Sequence, residues 1–158
     1  MIGTVGSAEK AELARAHGLD HAILYRSEDF VTQARRLTGG QGVDLAIDGT
    51  GGEVLLRTLD AVRPFGTVLS VGQVAGETRP LALGELGPAR SLLLGRPSVF
   101  RYLADTSRYR RAARAVLAEV TDGLAVTIGL KLRLAEATVA HAAPETGRTT
   151  GSILLVPG

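Results

Sequence analysis

The sequence predicts an α/β protein built on a doubly wound parallel sheet. Short apolar runs alternate with longer amphipathic stretches through the first 72 residues. Each connecting stretch is long enough to hold a helix, which neighbouring parallel strands require and hairpins do not. The third run, residues 43–47, is largely apolar and is followed by Asp48-Gly-Thr-Gly-Gly52, which suits neither a strand nor a helix. That pattern is typical of a buried parallel strand that ends in a functional loop.

The first half alternates regularly between strand and helix. Strands are expected at residues 1–6, 21–25, 42–48 and 66–72. Ser7 and Ser27 suit the N-caps of the first two helices, and the third helix carries Val54 to Val62 and ends at Pro64. Four strands joined by three crossover helices predict right-handed connections throughout.

The second half is less regular. A polar loop is expected at 73–80, a short helix at 81–86, a strand at 91–94 and one long helix at about 98–122. The apolar positions 109, 112, 113, 116, 117 and 120 predict the inner face of that helix, and its arginines predict a solvated face rather than an anion site. A strand at 131–134, a helix at 135–143 and a strand at 152–156 complete the chain.

Composition excludes several functional classes. The formal charge is only +2 and aromatic residues make up 4% of the 158 residues, which disfavours a nucleic-acid partner. There is no cysteine, and the three histidines are scattered, so no metal site is predicted. The sequence shows no signal peptide and no apolar run of membrane length, so we expect a cytoplasmic protein with no membrane partner.

The glycine-rich segment after the third strand is the first candidate for a ligand site. In open α/β sheets, ligands bind beyond the carboxyl ends of the strands. The alternative is a tight turn from strand to helix that simply needs glycine, and the local sequence leaves both open.

The ordered motifs resemble the cofactor-binding part of the medium-chain dehydrogenase/reductase superfamily, in particular its zinc-independent quinone oxidoreductase branch, which includes zeta-crystallin. The segments that carry the resemblance are residues 2–10, 25–29, 38–52, 66–72, 96–98 and 147–155. Their order and spacing cover nearly the whole chain. The resemblance implies a Rossmann-like domain and hydride transfer from NADPH to quinones or activated alkenes.

NADPH is preferred over NADH on a local chemical argument. NAD-binding units place an acidic residue at the end of the second strand to hold the ribose 2′-hydroxyl. Here Val5 takes that place, beside Gly6, Ser7 and Lys10. A hydroxyl, a helix N-terminus and an ammonium group favour a 2′-phosphate instead.

The resemblance also implies which residues contact the cofactor, while the catalytic residues stay unknown. Tyr25 is expected against the 2′-phosphate and adenosine, with Arg148 completing the anion clamp. The ribose and nicotinamide are expected along these residues: Gly49, Thr50, Val71, Gly72, Gln73, Arg96, Pro97 and Ser98.

Purely structural roles remain open for several of these residues. Tyr25 could cap a strand edge, Arg148 could be a solvated turn residue, and Ser7 and Lys10 could be only an N-cap and a surface residue. Asp48 is expected to be a structural carboxylate rather than an acid catalyst, because hydride transfer needs orientation more than proton transfer.

The chain departs from the family in lacking the first strand and its glycine-rich turn, since Gly3 to Gly6 does not have the required G-x-G-x-x-G spacing. The strands on either side would have to slide together, leave a gap or borrow a strand from another chain. We expect residues 1–130 to form a truncated NADP-binding domain and 131–158 to form a strand-helix-strand tail that packs on an absent substrate-side domain.

These expectations give one leading function and two alternatives. The leading function is a truncated form or fragment of an NADPH-dependent quinone or enone oxidoreductase with weak activity or none by itself. It is expected to form a homodimer through the edge strand at 91–94. The first alternative is a non-catalytic dimerising or nucleotide-binding module that completes its fold with a partner chain. The second, a flavodoxin-like or response-regulator-like domain, needs an acidic cluster or flavin loop where Gly6-Ser-Ala8 stands.

Overall fold

All of the strand pairs in the computed structural model, which describes residues 1–147 and 149–158, are parallel. The strands are β1 (Ile2–Val5), β2 (His21–Leu24), β3 (Val43–Asp48), β4 (Val62–Ser70), β5 (Leu93–Gly95), β6 (Ile128–Arg133) and β7 (Ser152–Val156). The helices are α1 (Ala8–Ala16), α2 (Phe30–Leu37), α3 (Gly52–Ala61), α4 (Leu83–Leu86), α5 (Val99–Leu103), α6 (Thr106–Thr121) and α7 (Ala137–Glu145), and a 3-10 turn (Leu134–Glu136) precedes α7. The predicted α/β class is confirmed.

The chain divides into two compact units, Met1–Ala104 and Asp105–Gly158. The first unit holds two sheets, β1-β2 and β3-β4-β5, and the second holds the β6-β7 pair. Of the three arrangements expected without a first strand, direct pairing of β1 with β3 is not observed among the described residues, because these two strands are not hydrogen-bonded to each other. The predicted domain division at residue 130 stays a prediction, because a compact unit is not the same thing as a functional domain.

Two apolar clusters hold the first unit together. The larger joins Leu55 and Leu59 of α3 to Val62 and Val68 of β4 and to Leu92. The smaller consists of Ile23, Ala34 and Ala61, so it links β2, α2 and α3. This second cluster fixes the β1-β2 pair to the rest of the unit.

Several predicted boundaries in the first half are wrong, including that of the fourth strand, which is Val62–Ser70 and not 66–72. Ser27 does not cap α2: its hydroxyl lies 3.4 Å from the Leu24 carbonyl oxygen, and the cap is Asp29, which accepts a hydrogen bond from the Thr32 amide at 2.8 Å. The third helix does not reach Val62, which is already extended at φ −95° and pairs with Val43. Burial of Val62 between α3 and the sheet outweighs its place in the apolar helical pattern. Ser7 does cap α1, accepting from the Lys10 amide at 3.3 Å.

The predicted long helix is in fact two helices. Asp105 lies between α5 and α6 in an extended conformation and accepts hydrogen bonds from the amides of Ser107 and Arg108. An aspartate that satisfies two free amides starts a new helix, which explains the break. The predicted inner face of α6 is also wrong, because no residue of α6 is buried; Tyr109, Val116 and Leu117 are all exposed.

The edge strand begins two residues later than predicted. Ser91 has φ +52° and lies outside β5, while the side chain of Leu92 enters the larger apolar cluster. Strand pairing with β4 starts only at Leu93. The exposed edge is therefore shorter than the predicted 91–94 segment.

In the second unit, α7 links the strands β6 and β7 and buries Ala140.

Within the described residues, no helix is long and apolar enough to cross a membrane.

The turn before α4 provides a test of acid stability. The Glu85 carboxylate accepts from both terminal nitrogens of Arg79, at 2.9 and 2.7 Å, and from the Ala82 amide at 3.0 Å. The hydrogen bonds from Arg79 and then from Ala82 lower the pKa of Glu85 from 4.5 to about 2. Because the pKa is lower in the folded state, this carboxylate stabilises the fold above pH 4.5 and loses its effect as the pH falls towards 2.

We expect Glu85→Gln to flatten the dependence of unfolding free energy on pH across this range, measured by urea denaturation at several pH values. Arg79→Met should remove most of the same slope. An unchanged slope in Glu85→Gln would contradict the assignment.

Candidate functional site

The buried side chain of Asp48 fixes the loop after β3 through hydrogen bonds. This residue is only 4% exposed, and its carboxylate accepts hydrogen bonds from the amides of Thr50 at 3.1 Å and Gly51 at 2.9 Å. Gly51 has φ +75°, a conformation that favours glycine. Asp48 thus fixes the loop at the carboxyl edge of the sheet, in line with the structural role predicted for it.

The loop after β4 lies directly against this first loop. The Val71 amide donates to the Asp48 carbonyl oxygen at 2.8 Å, and the Ala75 amide donates to the Thr50 carbonyl oxygen at 2.9 Å. A Cβ atom on Gly72 would lie 2.0 Å from the carbonyl oxygen of Gly49, so the two backbones touch only because residue 72 is glycine. In contrast, a Cβ atom on Gly49 would meet nothing within 4 Å. The side of Gly49 on which a Cβ atom would lie therefore faces open space.

The end of β5 contributes the third group of residues at this edge of the sheet. The Arg96 guanidinium donates a hydrogen bond to the side-chain oxygen of Gln73. Pro97 and Ser98 follow as exposed residues, and Ser98 precedes α5. The structure thus brings the predicted residues of β3, β4 and β5 to one edge. Val71 is exposed there.

A second group of predicted residues lies at the carboxyl ends of β1 and β2. The Tyr25 amide donates to the Val5 carbonyl oxygen at 3.2 Å, and its hydroxyl would be 3.1 Å from a Cβ atom on Gly6. Glycine at position 6 therefore lets the half-exposed Tyr25 ring lie across the end of β1. Ser7 caps α1, and Lys10 lies in the first turn of that helix. The last residue of β1 is Val5, so no carboxylate lies at this position.

Arg148 lies outside the described residues, so its predicted role in the anion clamp stays a prediction.

One residue at this edge was not predicted. Ser70, the last residue of β4, is 3% exposed, and its hydroxyl oxygen has no hydrogen-bond partner among the described residues. It pairs in register with Asp48 on β3. A serine within an apolar strand, directly before Val71 and Gly72, was the signal in the sequence.

The N-terminus of α3 is not an open anion site. A Cβ atom on Gly52 would lie 3.1 Å from the Ala75 carbonyl oxygen, and one on Gly51 would lie 3.1 Å from the Gly72 carbonyl oxygen. Carbonyl oxygens from the loop after β4 therefore crowd this helix end, where they complement the positive end of the helix dipole.

A family model described as zinc-binding dehydrogenase matches residues 1–120. The chain belongs to this family. Within it, the chain falls in the quinone oxidoreductase branch of the medium-chain dehydrogenase/reductase superfamily.

Similar proteins agree with this placement. The chain is 36% identical over 159 residues to the 2-haloacrylate reductase of a Burkholderia species, covering 99% of this chain and 48% of that protein. It superposes on the quinone oxidoreductase of Pseudomonas syringae with a TM-score of 0.90 at 32% identity, covering 99% of this chain and 48% of that one. The Escherichia coli quinone oxidoreductase in complex with NADPH gives a TM-score of 0.89 at 33% identity, covering 99% and 49%. The chain spans about half the length of the relatives it matches, and it corresponds to their C-terminal part.

The family description names zinc, but the residues here do not fit a zinc site. The chain has no cysteine, and its described residues bring no three His, Asp or Glu side chains together in a group that could hold a metal ion.

The contrast between Gly72 and Gly49 gives a matched pair of variants. Gly72→Ala should destabilise the fold by about 1–3 kcal/mol, because its new methyl group would overlap the backbone oxygen of Gly49. Gly49→Ala should change stability by less than about 1 kcal/mol, because its methyl group would enter open space. Urea denaturation followed by circular dichroism measures both, and equal losses would contradict the loop geometry.

Proposed function

We propose that this chain is the NADPH-binding part of a quinone or enone oxidoreductase. Bound NADPH would supply the hydride for reduction of a quinone or an activated alkene. The residues of this chain would bind and orient the cofactor. Residues that act on the substrate are not assigned.

The observation that carries this proposal is the open space in front of Gly49. Gly49 and Thr50, the loop at Gly72 and Gln73, and Arg96 border this part of the sheet edge. A backbone without side chains allows a planar ring to approach closely. The Arg96–Gln73 hydrogen bond holds the Gln73 side chain beside this space, so its amide nitrogen is available to the nicotinamide carboxamide.

The group at β1 and β2 fits the opposite end of the same cofactor. The Tyr25 ring over Gly6 offers a face for adenosine and a hydroxyl for a phosphate oxygen. Ser7, Lys10 and the N-terminus of α1 favour the negatively charged 2′-phosphate, while Val5 brings no carboxylate to repel it. Arg148 is proposed to add a second cation here. The solved E. coli relative in complex with NADPH supports the choice of cofactor.

The weak activity proposed for the isolated chain follows from the lack of a glycine-rich turn between these two groups of residues. In dinucleotide-binding sheets, the pyrophosphate contacts a glycine-rich turn after the central strand. This sequence has no such turn, so the two ends of the site are present without the middle. We propose that the 158-residue chain binds NADPH weakly and turns over little quinone.

We also propose that the protein is cytoplasmic and forms a homodimer through the free edge of β5. Leu93 and Leu94 on this strand are exposed, and an exposed apolar edge favours pairing with a second strand.

The alternative is a non-catalytic module that completes its fold with a partner chain. The division of the first unit into two sheets favours this reading, because a continuous sheet would need no partner. A reductase fragment and such a module differ in catalysis, because only the fragment should gain NADPH-dependent quinone reduction when it is joined to the N-terminal half of a relative.

The cofactor proposal is tested by titrating NADPH and NADH against the purified chain and following nicotinamide fluorescence. We expect NADPH to bind more tightly, and Lys10→Ala to weaken NADPH binding by about tenfold because a charged contact to the phosphate is lost. NADH binding should not change in this variant.

Lys131→Ala is the matched control, since Lys131 lies in β6 and is the other lysine in the sequence. Equal affinities for the two cofactors would contradict the 2′-phosphate site. Rapid NADPH-dependent quinone reduction by the isolated chain would contradict the proposal of weak activity.

The dimer is tested by analytical ultracentrifugation at micromolar concentration. We expect a species of twice the 16.5 kDa chain mass. Leu93→Lys should shift it towards monomer, because a lysine on an edge strand opposes pairing. Leu83→Lys, on exposed α4, is the control. A monomeric wild-type chain would contradict the proposal.

A further inference from the structure

Ser70 carries a buried hydroxyl group that the proposed function does not use. The residue ends β4 and is 3% exposed, and its hydroxyl oxygen has no hydrogen-bond partner within residues 1–147 and 149–158. Thr58 on α3 behaves differently, since it is 8% exposed and its hydroxyl donates to the Val54 carbonyl oxygen at 2.8 Å. A buried hydroxyl without a partner lowers stability, so its presence at Ser70 needs an explanation.

The residue beside Ser70 in the sheet is Asp48. These two residues are partners in the register of β3 and β4, two residues beyond the pair formed by Ala46 and Val68. Ala46 and Val68 pack in the α3 cluster, so Asp48 and Ser70 point to the same face of the sheet as that pair. Neighbouring strands lie about 4.8 Å apart, which places the side chains of Asp48 and Ser70 next to each other.

The Asp48 carboxylate has room for a further donor. Its Oδ1 accepts from the Thr50 amide at 3.1 Å, and its Oδ2 accepts from the Gly51 amide at 2.9 Å. A carboxylate group offers about four acceptor positions, so these two bonds leave others open. A serine hydroxyl rotates to suit its acceptor. An unused donor therefore lies beside an acceptor with spare capacity.

Asp48 and Ser70 lie where the two loops proposed to face the nicotinamide leave the sheet. Val71 follows Ser70 directly, and its amide donates to the Asp48 carbonyl oxygen at 2.8 Å. Gly49 and Thr50 follow Asp48 in the other loop. The direction of the Asp48 carboxylate therefore sets the position of the Thr50 amide and of the backbone that borders the open space.

We propose that Ser70 is a positioning residue for the nicotinamide end of the cofactor. In the NADPH-bound protein its hydroxyl donates to the Asp48 carboxylate, and this third hydrogen bond fixes the loop that carries Gly49 and Thr50. This role rests on the proposed function, because the bound cofactor is what brings the hydroxyl into use. A ring against Gly49 excludes water from the loop, and a drier environment strengthens a hydrogen bond to a carboxylate. The hydroxyl therefore stabilises the bound state and not the free one.

Ser70→Ala tests this role in the full 158-residue chain. Isothermal titration calorimetry with NADPH should give an affinity about tenfold lower than that of the wild type, because a hydrogen bond to a charged acceptor is lost in the bound state. The affinity for adenosine 2′,5′-bisphosphate, which carries the 2′-phosphate but no nicotinamide, should not change. The melting temperature of the free variant should equal or exceed that of the wild type, because no hydrogen bond of the free chain is removed.

Thr58→Val is the matched control, because it removes a buried hydroxyl whose partner is the Val54 carbonyl oxygen and not a loop of the site. Its affinities for both ligands should equal those of the wild type.

Two results would overturn the positioning role while the proposed function stands. The first is a Ser70→Ala variant that keeps the wild-type affinity for NADPH or loses affinity equally for both ligands. The second is a melting temperature of the free variant more than about 3 °C below that of the wild type, which would show that the hydroxyl already has a structural partner. Failure of the wild-type chain to bind NADPH would overturn the proposed function, and the role of Ser70 with it.

Discussion

The contact between α2 and α3 holds the two sheets of the first unit together, since β1 and β3 share no hydrogen bonds. Ala34 and Ala61 meet in the apolar cluster with Ile23, and their small side chains allow the two helices to approach closely. Polar contacts surround this cluster. The Arg35 Nε donates to the Asp60 carbonyl oxygen at 2.7 Å, and Arg57 pairs with Asp29 while lying 4.8 Å from the centre of the Phe30 ring. Exposed pairs of this kind contribute little individually, so the apolar contact dominates.

This arrangement decides which parts of the candidate site are formed. Each sheet orders its own carboxyl edge: Tyr25 lies over Gly6 on one side, and the loops at Gly49 and Gly72 touch on the other. The two groups of residues proposed to bind the cofactor are therefore each ordered by hydrogen bonds within one sheet or its loops. A ligand that bridged both groups would add a connection between the two sheets.

Much of the fold could be predicted from the sequence because strand and helix periods differ so clearly in the first half. The strands β1 to β3 and the capping of α1 by Ser7 follow from local pattern, whereas β4 begins at Val62, four residues before the predicted start. The errors arose where another interaction overrode that pattern. Val62 fits an apolar helical face but is extended because it is buried beside Val68, and Asp105 interrupts a long amphipathic stretch by capping a new helix. Ser70 could not be assigned because an unpartnered buried hydroxyl is visible only once its neighbours are in place.

The apolar residues that the structure leaves exposed have a common physical meaning. On α6 and on β3, the period of the apolar pattern agrees with the observed element, yet these side chains are not buried. An amphipathic pattern identifies the apolar face of an element, but it does not identify the segment that buries this face. Burying a leucine or isoleucine side chain is worth about 1.5–3 kcal/mol, so exposing several together forgoes stabilisation comparable to that of a whole small domain. On β3 these exposed residues are Leu45 and Ile47, which lie on the face of the sheet opposite α3 because their neighbour Ala46 packs against the α3 cluster.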